Sequence, residues 1–174
     1  MNKTKTSELL KQELEVYYNR YAKEYQQAHY SNTNRYSPLQ FRQSYIEEMI
    51  DNEDLPSGAR VLDVGCGPGE LALNLLRKGF NVTAVDISQS MVDTAARIVK
   101  GNGFPEWDEV TVGDIENLEF DDHSFDVVVA SGVLEYQRDD ERSLSEMKRV
   151  LKKDGYLILN VTNKNCPNRI MGFP

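Results

Sequence analysis

The segment Val61-Leu-Asp-Val-Gly65-Cys-Gly67-Pro-Gly69-Glu70 decides the fold class of this chain. A short apolar run leads into three glycines at alternate positions, and an amphipathic stretch follows. Glycines at such a turn let the backbone bend sharply and let a ligand approach it closely. The segment therefore predicts a strand, a ligand-binding loop and a helix in succession.

Two common kinds of glycine-loop site are disfavoured here. A dinucleotide loop of the form G-x-G-x-x-G needs its third glycine at position 70, where this chain has Glu70. The charge of Glu70 would tolerate a pyrophosphate poorly and is consistent with a cationic ligand. A phosphate-binding P-loop needs Gly-Lys-Ser/Thr, which does not occur in the sequence. A nicotinamide-dependent oxidoreductase is therefore an alternative that Glu70 argues against.

Outward from this loop, apolar strands alternate with amphipathic helices. We predict five strands, at residues 61–64, 82–85, 110–112, 125–130 and 156–161. The helix before the last strand is predicted to carry Lys152 and Lys153 in its last turn and to end at Gly155. This alternation predicts an α/β fold, with a Rossmann-like, doubly wound and mainly parallel sheet.

Residues 1–58 differ from the rest and predict an N-terminal helical cap, or lid, over a core of residues 59–174. Six of the nine tyrosines lie here within 20 residues. One helix is expected to carry a face of Leu and Tyr residues, with Tyr17 and Tyr21 packed against the sheet. A loop is predicted over residues 29–37. A second helix is predicted to begin at Ser37-Pro38, with Ser37 as its N-cap.

Five segments of residues 59 to about 162 resemble the motifs of class I S-adenosylmethionine-dependent methyltransferases. The G-x-G-x-G loop resembles motif I of that family. The stretches 82–88, 113–116 and 125–136 resemble its second strand, the loop after its third strand, and its fourth strand with the turn that follows. The stretch 147–159 resembles its last helix and fifth strand. The resemblance implies S-adenosyl-L-methionine as the cofactor and methyl transfer as the activity.

The resemblance also implies a role for individual residues in holding the cofactor. The residues it assigns to the methionine part, the ribose and the adenine are Asp63, Gly65, Gly67, Gly69, Asp86, Ile87, Met91, Asp114, Ile115, Ala130 and Ser131. Asp86 would accept both ribose hydroxyls, as acids do in other doubly wound nucleotide sites. Simpler structural roles stay open, in which Asp63 caps its own loop, Met91 belongs to the core and Asp86 caps a helix.

Tyrosines are the candidates for contact with the sulfonium and the methyl acceptor. The stretch 18–25 resembles the N-terminal cover of small-molecule methyltransferases, and aromatic faces stabilise cations. Tyr18, Tyr25 and Tyr30 are therefore expected at the site, with His29 as a lesser candidate for a base. Related enzymes often carry His at the position of Tyr136, so Tyr136 is expected to orient the acceptor instead of acting as a histidine base.

Composition narrows the partners that this chain can have. The net charge of −8 argues against a large nucleic-acid surface, and no apolar run approaches the roughly 20 residues of a membrane span. The N-terminal stretch has no apolar secretory core, which favours the cytoplasm. Two cysteines a hundred positions apart predict no metal site. A small-molecule methyl acceptor is expected, and a methyltransferase-like binding or scaffold protein without turnover is the alternative.

The length of the chain suggests that the fold is truncated. The family usually continues past its fifth strand with a helix and a sixth and seventh strand, whereas few residues follow residue 161 here. We expect the chain to be an incomplete fragment, with an inactive fragment as one alternative, or its fifth strand to be an apolar edge that a partner or a second copy covers.

Overall fold

A computed structural model describes residues 3–30, 38–137 and 140–161; the side chains of residues 3–7, 29 and 30 lie outside this description. The helices are α1 (Lys3–Tyr30), α2 (Pro38–Asp51), α3 (Glu70–Arg77), α4 (Gln89–Gly101) and α5 (Asp140–Val150), with a 3₁₀ turn at Leu134–Tyr136. The strands are β1 (Arg60–Val64), β2 (Asn81–Asp86), β3 (Val110–Val112), β4 (Phe125–Ser131) and β5 (Leu151–Asn160).

The strands form one parallel sheet in the order β3-β2-β1-β4-β5. β1 is central and pairs with β2 on one side and β4 on the other. The strand order therefore reverses between β1 and β4, and ligands of such sheets bind at the carboxyl ends of the strands near this point. The predicted doubly wound α/β fold is confirmed.

Both faces of the sheet are buried at its central strands β1, β2 and β4, as the continuous apolar runs of β1 and β4 predict, whereas the edge strands β3 and β5 are partly exposed. Val127 and Val129 face a core layer formed with α3, α4 and the end of α2. Val128 and Ala130 face a second layer that includes Met147 of α5. Since consecutive residues of a strand point to opposite faces, β4 contributes to both layers and has little polar surface.

The predicted boundary between α5 and β5 is wrong. The helix ends at Val150, and Lys152, Lys153 and Gly155 belong to β5 instead of the end of the helix. Lys152 Nζ bonds Asp126 Oδ1 at 2.7 Å, at an irregularity in the pairing of β4 with β5. A Cβ atom on Gly155 would lie 2.7 Å from the Asp126 carbonyl oxygen. Gly155 is therefore required by close strand contact and not as a helix stop.

Helix α1 also differs from the expectation. It continues through Tyr30, so His29 and Tyr30 lie in a helix and not in the predicted loop; residues 31–37, including the proposed cap Ser37, lie outside the described residues. Tyr17 and Tyr21 are 52% and 38% exposed and do not pack on the sheet. Helix α2 begins at Pro38 as predicted.

The face that α1 turns inward carries different residues. Ala22 is buried, and Lys11, Tyr18 and Tyr25 are half-buried at helical spacing along the same side. This face packs mainly on α4. Among the described residues, no helix combines the length and the apolar character that crossing a membrane requires.

Candidate functional site

The glycine loop joins β1 to α3 at the carboxyl edge of the sheet. Gly67 has φ +54°, and a Cβ atom added to it would meet nothing within 4 Å. Gly69 has φ +83°, and its Cβ would lie 2.6 Å from the Cβ of Ala95 in α4. Positive φ favours glycine at both positions. Gly69 is therefore needed for packing, whereas Gly67 leaves open space above the loop where a ligand can approach.

The loop is tied to β2 by hydrogen bonds. The backbone N–H groups of Gly65 and Cys66 donate to the Val85 carbonyl at 2.8 and 3.0 Å. The Gly67 N–H donates to Asp86 Oδ2, and the Ser88 N–H donates to Asp86 Oδ1, both at 2.9 Å. Burial raises the pKa of Asp86, and the hydrogen bonds from backbone N–H groups oppose this rise. Ser88 is the N-cap of α4, with its Oγ accepting from the Met91 N–H at 3.2 Å. Asp86 therefore holds this cap and the glycine loop in place.

Asp63 is the second acid of this edge, at the end of β1. It is 2% exposed, and its Oδ2 atom makes no hydrogen bond with any described residue. Burial and the nearby Asp86 carboxylate raise the pKa of Asp63 to about 7. An unsatisfied buried carboxylate oxygen costs about 1–3 kcal/mol or more. Asp63 is therefore poised to accept a cationic hydrogen-bond donor.

Arg42 of α2 is a site residue that the sequence analysis missed. It lines a narrow cleft together with Asp63, Gly65 and Ser131. Its guanidinium covers Gly132, where an added Cβ atom would lie 2.4 Å from Nη1. Within the described ranges Arg42 makes no ion pair, so the cleft holds a cation beside a buried acid. No local motif marks an arginine on a separate helix, so the sequence offered no signal for it.

Three tyrosines meet at the mouth of this cleft. The Tyr18 ring lies 6.1 Å from the Tyr25 ring and 6.3 Å from the Tyr136 ring, both edge to face. Burial and a hydrogen bond with Tyr136 raise the pKa of Tyr18 far above its usual value. Burial raises the pKa of Tyr25 to about 12, while the charge of Arg42 opposes this. The phenols of Tyr18 and Tyr25 therefore stay protonated at neutral pH and act as hydrogen-bond donors.

The far end of the site is covered by α1. Lys11 Nζ bonds Asp114 Oδ2 at 2.7 Å and Glu116 Oε2 at 2.6 Å. About two turns further along the helix, Asn19 Oδ1 accepts hydrogen bonds from Ser88 Oγ at 2.8 Å and from the Ser90 N–H at 3.0 Å. Helix α1 is thus fastened across the loops that follow β2 and β3.

The remaining expected residues lie along the same edge of the sheet. Ile87 is half-buried beside Asp86, Met91 is buried in the first turn of α4, and the side chain of Ile115 belongs to the core below α5. Ala130 is fully buried in β4, and Ser131 opens onto the cleft. The edge therefore brings together the expected cofactor residues, whereas the side chains of His29 and Tyr30 lie outside the described part.

The cleft itself is narrow. Its cavity volume is about 50 Å³, and Tyr25, Leu39, Arg42 and Gln43 from α1 and α2 form one wall. A cavity needs about 10–15 Å³ of such volume for each water molecule, so this one has room for only a few waters. A cofactor of nucleoside size requires these helices to move outward.

The family comparison agrees with the motifs. A family model described as a methyltransferase domain matches residues 62–159, which run from β1 into β5. The match therefore contains the glycine loop, both buried acids and the turn after β4.

Individual relatives and solved structures agree with the family match. The ubiquinone biosynthesis O-methyltransferase of Rickettsia bellii is 32% identical over 142 residues, covering 80% of this chain and 56% of its own length. The crystal structure of the PH0226 protein from Pyrococcus horikoshii is 32% identical with a TM-score of 0.63, covering 80% of this chain and 66% of that one. The [4+2]-cyclase SpnF is 25% identical with a TM-score of 0.71, covering 90% and 63%. The chain spans about half the length of the curated relatives it matches.

Proposed function

Because this chain belongs to the class I S-adenosylmethionine-dependent methyltransferases, we propose that it transfers a methyl group from that cofactor to a small-molecule acceptor. The presence of the buried acid Asp63 and the guanidinium of Arg42 in the lining of one cleft is the observation that carries this proposal. When bound, S-adenosylmethionine supplies an already activated methyl group on a sulfonium, so the protein mainly has to align the two reactants.

The charges of the cleft match the amino-acid end of the cofactor. An α-amino acid carries one ammonium and one carboxylate group. The free oxygen of Asp63 suits the ammonium, and the guanidinium of Arg42 suits the carboxylate as a bidentate partner. The open space over Gly67 lets the chain of the amino acid pass close to the loop backbone. A nicotinamide ring has no ammonium and carboxylate pair for Asp63 and Arg42 to bind. The family match also disfavours a nicotinamide cofactor.

The ribose and adenine ends extend along the sheet edge. Asp86 lies beside the loop at the carboxyl end of β2, so it would accept both ribose hydroxyls, as acids do in other doubly wound nucleotide sites. Asp114 would accept from the adenine amine beside the Ile115 backbone, with Ile87 and Met91 against the ring. Ala130 and Ser131 would contact the methionine part from β4.

The division of the chain into a cap, residues 1–58, and a core supports a lid role for α1. In the closed arrangement Lys11 holds Asp114, the group proposed for adenine, and the cavity is too small for the cofactor. Opening of α1 would release Asp114 and admit the cofactor. Closing again would exclude water from the reacting groups.

The tyrosine cluster supports positioning of the acceptor and not proton abstraction. Tyr18, Tyr25 and Tyr136 would present aromatic faces to the sulfonium and hydroxyl groups to the acceptor. Phenols with a raised pKa are poor bases at neutral pH. Tyr30 and His29 at the end of α1 stay candidates for the acceptor side. Since the matched relatives are named O-methyltransferases, a hydroxyl-bearing small molecule is the acceptor that we infer.

The test separates binding from turnover. Calorimetric titration should show one site for S-adenosylmethionine, and transfer of radiolabelled methyl to a panel of small hydroxylated compounds should show product. Binding without transfer to any acceptor would favour a binding protein or a different reaction, since the structural neighbour SpnF is a [4+2]-cyclase. Binding of a nicotinamide dinucleotide in place of S-adenosylmethionine would overturn the proposal.

A further inference from the structure

The outer face of α1 forms an open groove that faces away from the core. Its apolar side chains are Leu9, Val16, Tyr17 and Tyr21. They are 58%, 67%, 52% and 38% exposed. Contiguous apolar surface of this kind on a helix marks an interaction site more often than isolated exposed residues do. The groove is separate from the proposed methyl-transfer site, which lies on the opposite side of the helix.

Two charged residues make this groove complementary to a second copy of itself. Glu13 and Arg20 lie in it and are exposed, two helical turns apart on the same side. A two-fold axis placed between Val16 and Tyr17 would set each residue against the one equally far from the axis on a second, antiparallel helix. Val16 then faces Tyr17 of the other copy, and Glu13 faces Arg20 of the other copy. Each contact occurs twice, as a two-fold interface requires.

We propose that the outer face of α1 pairs with the same face of a second copy of this chain, with the two helices antiparallel. Opposite charges at equivalent positions of antiparallel helices select partner and orientation. A parallel pairing in register would set Glu13 against Glu13 and Arg20 against Arg20, which repel each other. The charges therefore favour one orientation as well as one partner.

The size of the surface determines how strong this pairing is. One face of a single helix supplies a small contact, below the roughly 1,200 Å² of total buried area that stable interfaces reach. The pairing is therefore weak and reversible, and the proportion of dimer rises with concentration.

Charge exchange gives a test that does not depend on methyl transfer. Glu13→Arg creates two arginines in the groove, and Arg20→Glu creates two glutamates, so neither variant should pair with itself. Mixed in equal amounts, the two variants should form a heterodimer, since each arginine then faces a glutamate. The double variant should pair with itself again. Glu15→Arg changes the same charge on an exposed position of α1 outside the groove and serves as the control.

Sedimentation velocity from about 10 µM to about 1 mM measures these equilibria in the range expected of a weak interface. We expect dimerisation of the unchanged chain and of the Glu15→Arg control, at least tenfold weaker self-association of each groove variant, and restored association in the mixture. A chain that stays monomeric throughout, or a mixture that associates no better than its components, would overturn the proposal. Retained S-adenosylmethionine binding in the variants would show that the proposed function stands independently.

Discussion

The Gly67 amide and the Asp86 carboxylate are joined by a hydrogen bond of 2.9 Å that ties the glycine loop to the tip of β2. The bond fixes the loop that follows β1 against the neighbouring strand. It also fixes the orientation of the carboxylate at the edge of the sheet where the ribose is proposed to lie.

Asp86→Ala should weaken S-adenosylmethionine binding by at least 100-fold. The change removes two hydrogen bonds from ribose hydroxyls to a charged group, each worth about 1.5–3 kcal/mol. Calorimetric titration measures the loss. Asp93→Ala, an exposed acid on α4, is the control and should bind normally. Equal weakening in both variants would mean that Asp86 acts only through net charge.

Asp63 should make cofactor binding depend on pH. Because the pKa of Asp63 is raised to about 7, the carboxyl is protonated below that pH and must lose its proton to hold an ammonium. Affinity should therefore rise between pH 5.5 and about 7, by up to tenfold for each pH unit. Titration in buffers of different ionisation enthalpy should show proton release at pH 6. Asp63→Asn should flatten this profile, and an unchanged profile would exclude the proposed contact.

The same acid should influence the stability of the ligand-free protein. The unfolded chain loses the Asp63 proton near its ordinary pKa of 3.8, before the folded protein does near 7. The stability contributed by the neutral acid is therefore fully present below about pH 4 and is lost as the pH rises to about 7. Between about pH 4 and about pH 7, denaturant unfolding should show a smaller fall in the free energy of unfolding for Asp63→Asn than for the unchanged chain. Asp93→Asn should follow the unchanged chain.

Arg42→Gln should weaken S-adenosylmethionine binding by about 10- to 100-fold, since one charge-assisted pair is lost. Decarboxylated S-adenosylmethionine lacks the group that Arg42 is proposed to hold, so its affinity should barely change. Arg42→Lys should recover part of the loss, because an ammonium keeps the charge without the planar fork. Arg97→Gln on the exposed side of α4 is the control. Equal losses for both ligands would contradict the proposed contact.

Lys11→Met should speed cofactor association by about three- to tenfold, since the change removes two ion pairs that hold α1 closed. Stopped-flow fluorescence measures the rate, and hydrogen exchange in α1 should rise. Added salt should accelerate association of the unchanged chain more than that of the variant. Lys23→Met, exposed on the same helix, is the control. Identical rates in both variants would argue against a lid.

Gly69→Ala should destabilise the protein more than Gly79→Ala. Both positions have positive φ, which costs an alanine about 1–2 kcal/mol. At Gly79 the added Cβ meets open space, whereas at Gly69 it meets Ala95 at 2.6 Å and adds about 1–3 kcal/mol of overpacking. Thermal unfolding distinguishes the two, and equal effects would show that α4 shifts without cost.

Most of the sheet could be predicted because the sequence signals for its strands are local. The apolar runs of β1, β2, β3 and β4 and the glycine spacing are each visible within about ten residues. The start of β5 could not be predicted, because Lys152 and Lys153 suit the end of a helix equally well. Their assignment to a strand depends on Asp126, which lies about 26 residues away.

The inner face of α1 could not be predicted for a related reason. Tyrosines occupy both sides of the helix, so spacing alone does not distinguish Tyr17 and Tyr21 from Tyr18 and Tyr25. The choice depends on partners far along the chain, such as Asp114 for Lys11. Arg42 was missed for the same reason, since only the fold brings it next to Gly132.

The parallel strand order has a consequence for how the chain is made. Val61 of the central strand pairs with Val127, so β1 lacks one neighbour until some 66 more residues have been synthesised. None of the strand pairs in the described part of the chain can form through a tight hairpin, because parallel neighbours need crossover connections. We therefore expect slow folding that is completed late during synthesis. Until then the apolar strands β1 and β2 are exposed to chaperones and to other nascent chains.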